Sequence, residues 1–149
     1  MDTVGRIALA AVALASLMTL NGCIVRSGTI VDQTTIRVAV GEFVATEQQG
    51  LARAPAVTQE SAAQTGLAKL TELNGTINGL VLSDAHFAPR LMTLSDATGS
   101  PIYASTEPAD DWIFVFTAPP QNGFTSVRGV VVIDAATGRI SSAQILQSN

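Results

Sequence analysis

Cys23 is the only cysteine of the chain and His86 its only histidine, so the residues that most often bind transition metals each occur once. A zinc centre needs three or four such ligands, and this composition does not supply them. His86 has no Gly-x-Ser-x-Gly elbow to serve, and no glycine-rich phosphate loop or dinucleotide fingerprint occurs. Asp110 and Asp111 form the one adjacent carboxylate pair flanking an apolar run. General acid–base work needs two groups converging on one reacting centre, whereas strand neighbours point to opposite faces. In a loop, both would be solvated. His86, in Asp84-Ala85-His86, is read as a turn residue that is exposed or bonded to the backbone. These readings describe a non-enzyme, with no cofactor and no metal. The remaining nucleophile is Cys23, and its position decides its chemistry.

Residues 7–20 carry no charge, and Ser16 and Thr19 are their only polar side chains. Three readings fit such a stretch. A secretory signal has a short basic start, here Arg6, then about 7–15 apolar residues and small residues at a cleavage point. A transmembrane anchor needs roughly 20 apolar residues and would have to continue through Asn21-Gly22, a turn-forming pair. A helix buried in the domain would be apolar all round rather than striped. Leu20-Asn21-Gly22-Cys23 resembles the bacterial lipobox and favours the first. That resemblance implies a diacylglycerol on the Cys23 thiol, cleavage before Cys23, and an N-acyl (palmitate-type) chain on the new terminus. Two or more chains anchor a protein stably where one does not. Ile24, where Asp would retain the protein at the inner membrane, implies sorting to the outer membrane in a Gram-negative host. The division expected is signal peptide 1–22, tether 23–34 and a single domain 35–149.

With no second cysteine, the domain cannot form an internal disulfide and rests on packing. The leader holds one base, Arg6, and one acid, Asp2, so the remainder keeps the net charge of −4. Its charges are scattered singly, which excludes the clustered basic footprint of a nucleic-acid binder.

Hydrophobic period predicts the elements. Ile36, Val38 and Val40 alternate as one face of a strand over 35–45, with Gly41 a bulge or bend. Residues 46–55 read as a polar connection. A helix follows, with Thr58 as N-cap, Glu60 in its first turn and Asn74-Gly75 at its end. Ala63, Leu67 and Leu70 supply its apolar stripe. Gly66 in its interior costs about 1 kcal/mol relative to Ala, which close approach to a strand would justify. Strands are expected over 77–83 and 87–95 around a turn at Asp84–His86. Pro89 puts the second of these near a sheet edge. A short extended piece over 100–105 comes next. Residues 112–118 and 129–134 are apolar without alternation, as in central strands covered on both faces. Pro119-Pro120 and Asn122-Gly123 turn the chain between them. The final segment, from Gly138, reads as a last strand paired with Val130–Ile133. The expected class is α+β: one helix on an antiparallel sheet of about 4–6 strands, after an N-terminal signal helix.

The stretch Val131-Val132-Ile133-Asp134-Ala135-Ala136-Thr137-Gly138 reads as a structural turn. Asp134 can accept from amides two residues on, and Gly138 can take a positive φ. A calcium loop would need further oxygen ligands beside Asp134. Together with the strand Trp112-Ile113-Phe114-Val115-Phe116 and the Ala-rich helix over 57–70, it resembles a PepSY-like domain over roughly 56–149. That resemblance implies an extracytoplasmic, non-catalytic module that binds protein or peptide and modulates a peptidase. Trp112, Phe114 and Phe116 are core residues or the lining of a partner groove. The function expected is that of a membrane-anchored envelope lipoprotein with a protein- or peptide-binding domain. The alternative is a structural or assembly component, pilotin-like or of a conjugation or secretion system.

Overall fold

The computed structural model describes residues 35–48, 54–89 and 91–149. The leader, Leu20, Asn21, Gly22, Cys23 and the tether lie outside the described residues. Among the described residues eight strands and one helix succeed one another: β1 (Thr35–Val40), β2 (Phe43–Gln48), α1 (Gln59–Leu73), β3 (Val81–Ala88), β4 (Leu91–Ser95), β5 (Pro101–Ala104), β6 (Asp111–Ala118), β7 (Ser126–Asp134) and β8 (Ile140–Ser148). They form two antiparallel four-stranded sheets, an outer sheet ordered β1-β2-β4-β5 and a central sheet ordered β3-β6-β7-β8. The class is α+β, with one helix on an antiparallel sheet as expected. The strands, however, number eight and divide between two sheets.

The reason lies in β6 and β7, which are buried on both faces. Ile113, Val115, Val130 and Val132 meet Val40, Phe43, Ala45, Met92 and Leu94 of the outer sheet. Trp112, Phe114, Phe116, Val131 and Ile133 face the other way, toward Ala62 and Leu70 of α1. Successive strand residues point to opposite faces, so an unbroken apolar run demands a layer on each side.

Four local readings are corrected. The segment 35–45 is a hairpin: Gly41, at φ +59°, and Glu42 form a two-residue turn that pairs Val40 with Phe43. Thr46–Gln48, read as part of a connection, therefore belong to β2. Asp84–His86 lie inside β3 rather than in a turn, and the chain instead crosses between sheets after Ala88, at Pro89. β4 is consequently an interior strand, while the edge position falls to β3. A bulge at Ser83 keeps the long β3 in register with β6, its hydroxyl donating to the Val115 carbonyl. By contrast, the turn at Asn122-Gly123 is where the sequence puts it, with φ of 55° and 84° and reciprocal backbone bonds between Gln121 and Phe124.

Helix α1 starts at Thr58, whose hydroxyl accepts from Ser61 N, and closes at Asn74, whose N–H reaches the Leu70 carbonyl. The line it buries is Ala62, Gly66 and Leu70, with Ala63 and Leu67 half-buried beside it. Small residues lead because helix and strand interlock. A Cβ at Gly66 would stand 3.3 Å from Val131, and one at Gly129 would stand 2.3 Å from the Leu70 Cδ1. Leu70 fills the place of a missing side chain on β7, and Val131 does the same on α1.

The two glycines differ in tolerance. Gly129→Ala is expected to destabilise the protein by about 1–3 kcal/mol through overpacking against Leu70. Gly66→Ala is expected to change stability by less than about 1 kcal/mol, because the helix gains what the contact loses. Urea unfolding of both variants checks this order, and Leu70→Ala should relieve part of the Gly129→Ala cost in a double-mutant cycle.

Candidate functional site

The turn over 134–138 and the Trp112 end of β6 converge at the start of α1. Asp134 Oδ1 accepts from the amides of Ala136 and Thr137, at 2.8 and 2.9 Å. Gly138, at φ +74°, donates its N–H to the Asp134 carbonyl, and the Thr137 hydroxyl accepts from Arg139 N. The turn thereby exposes the Ala135 carbonyl, which accepts from both Ala56 and Val57. Trp112 adds a bond from its indole N–H to the Val57 carbonyl, 3.0 Å away. Asp134, Thr137, Gly138 and Trp112 thus act together to set where the chain enters the helix. Trp112, Phe114 and Phe116 form a ladder along β6 beneath α1, with ring centroids 6.0 and 6.4 Å apart, and Phe87 flanks Trp112 at 5.1 Å. All three are buried, and Phe116 lines an opening to the surface.

That opening is a groove of about 540 Å³ between α1 and β3. Ala63, Leu67, Leu80, Leu82 and Phe116 line it, with Gln59, Glu60 and Gln64 along the helix rim. Val81 and Leu82 are 62% and 43% exposed, among the few large apolar side chains at the surface. Among the described residues β3 pairs with β6 alone, so its outer backbone edge is unpaired. The sequence does carry a signal for this site: Leu80-Val81-Leu82 breaks the alternation of a half-buried strand, leaving apolar side chains on both faces and at the rim. With β3 read as ending in a turn, that edge was not visible.

Several ionisable residues face the interface between the sheets. Glu47, 3% exposed, lies with its Oε2 3.2 Å from His86 Nε2. Gly41 N donates to Asp84, and Glu42 pairs with Arg128, so the outer sheet is tied to the central one by polar contacts as well as by packing. His86 is therefore the partner of a buried acid rather than an exposed turn residue. Asp111, expected to be solvated, is 1% exposed at the start of β6, and neither carboxylate oxygen has a hydrogen-bond partner among the described residues. Its register partner on β7 is Asp134. Burial first, then the charges of Asp134 and Asp110, push its carboxyl up to about 7. Burial also raises Tyr103, with Asp111 contributing.

Among the described residues no group of three or more His, Cys, Asp or Glu side chains is placed to hold a metal ion, and no helix is long and apolar enough to cross a membrane. The chain matches no family model, no curated protein and no solved structure.

The Asp111 carboxyl makes stability depend on pH. Its folded value lies above its ordinary 3.8, so the folded state binds the extra proton between about pH 4 and 7. Stability falls as pH rises through that window. Asp111→Asn should flatten this part of the curve and raise stability at pH 8 by roughly 1–3 kcal/mol, read from urea unfolding at pH 5, 6.5 and 8.

Proposed function

We propose that the chain is a lipoprotein of a bacterial cell envelope, held at a membrane through Cys23 and presenting a non-catalytic, PepSY-like domain that binds a protein partner. The anchor is argued from Leu20-Asn21-Gly22-Cys23 after an uncharged run, and Ile24 favours the outer membrane of a Gram-negative host. A diacylglycerol and an N-acyl chain on Cys23 supply the two signals that stable attachment requires. The observation that carries the binding role is the one-sided pairing of β3 beside exposed Val81 and Leu82. Edges of this kind are normally covered or charged, because they recruit further strands. An edge flanked by an apolar groove suits addition of an extended segment from a partner. The partner class that the PepSY-like resemblance implies is an envelope peptidase, held or modulated rather than assisted in its chemistry.

The anchor is tested by producing the full chain in a bacterium fed a labelled fatty acid. The expected result is label in a membrane-bound protein that begins at Cys23, and loss of both label and membrane binding in Cys23→Ser. Recovery from the cytosol of unmodified protein still beginning at Met1 would overturn the anchor and the location together. Crosslinking in intact cells tests the binding role: an adduct with an envelope protein is expected, and the domain crosslinking to none would remove it.

A further inference from the structure

Resting on that reading, we infer that the groove between α1 and β3 takes an extended apolar peptide carrying a basic residue, paired with the edge of β3 ahead of the Ser83 bulge. The position of the groove limits what can fill it. Its apolar floor, Leu80, Leu82 and Phe116, adjoins unpaired backbone of an edge strand. An acyl chain would cover the floor and leave those N–H and C=O groups without partners, at the cost of buried, unsatisfied donors and acceptors. An extended peptide satisfies both, through main-chain pairing and alternate side chains directed into the groove.

Two further features narrow the occupant. Ser83 is the extra residue of the bulge, with Leu82 opposite Phe116 and Asp84 opposite Val115. A bulge disrupts the ladder locally, and the groove-lining residues Leu80, Val81 and Leu82 lie before it, so a partner strand over the groove registers against them. The same bulge disfavours a long β3-to-β3 contact between two copies of this chain. Charge selects the rest. Among the described residues Glu60 is the only ionisable one lining the groove, on a chain of net charge −4. It stands in the first turn of α1, at one end of the groove, with Gln59 and Gln64 as neutral neighbours on the same rim. A Lys or Arg in the peptide meets a carboxylate there, and an acidic residue meets repulsion.

The test uses the purified protein and a short fluorescent peptide that alternates Val with Thr and ends in Lys. Matched peptides carry Glu in place of Lys, or N-methyl groups on the pairing amides. Anisotropy should show the Lys peptide binding, the Glu peptide binding about fivefold more weakly, and the methylated peptide losing at least about tenfold. Ala63→Trp, which fills the groove, should abolish binding. Glu60→Lys, on the exposed rim, should reverse the preference between the Lys and Glu peptides, and it does so without touching the core. Equal binding of all three peptides, an unchanged preference in Glu60→Lys, displacement by a fatty acid but by no peptide, or self-association through β3 would each overturn the inference. An envelope partner that still crosslinks to Ala63→Trp would also sink the groove while leaving the proposed binding role intact.

Discussion

The interlock of α1 with β7 sets everything on the helix side of the central sheet. A leucine seated over a strand glycine, and a valine seated under a helix glycine, bring two backbones closer than ordinary side chains allow. The approach fixes the helix in rotation as well as in height. With Ala62, Gly66 and Leu70 turned down, Ala63 and Leu67 point sideways and become one wall of the groove. Were the stripe Ala63, Leu67 and Leu70 turned to the sheet instead, that wall would be inside the core. Close packing and an open flank are thus two results of a single choice of helix face.

The central sheet is the shared middle layer, and its two faces are held differently. On the helix side the joint is aromatic and aliphatic, with one polar pin from Trp112 to Val57. The other side adds carboxylates to the aliphatic packing: Asp84 toward Gly41, Glu47 toward His86, and Glu42 toward Arg128. Asp111 is the exception among them, because no donor among the described residues answers it. Of these acids only Glu47 and Asp111 are buried, and for them desolvation offsets much of any attraction.

Much of this was legible in the chain. Thr58, Asn74, Asn122-Gly123 and the Asp134–Gly138 turn are local devices, each settled within a few residues, and sequence reading finds such devices well. Gly66 was legible as a close contact because its cost within a helix needs a reason. The unbroken apolar runs of β6 and β7 also demanded two covering layers, and one helix can supply only one of them. What sequence reading missed was the second layer, since β2 is half polar and its Glu47 looks like a surface residue. Glu47 lies on the buried face of β2 and is answered there by His86, 39 positions away in the chain. Asp84–His86 looked like a turn for the same reason: their polarity answers groups of the other sheet, and local pattern has no access to that. The groove was hidden twice, by a strand taken to end early and by a stripe one residue off on the helix.

The order of the strands has a kinetic consequence. β3 is made before β4 and β5, yet it belongs to the sheet of β6, β7 and β8. During synthesis it must remain without a mate while the other sheet is completed around it. Non-local pairing of this kind slows folding, because loop closure has to precede the contacts that reward it. For an extended interval the nascent chain therefore offers Leu80-Val81-Leu82 to whatever chaperone or neighbouring chain is nearest.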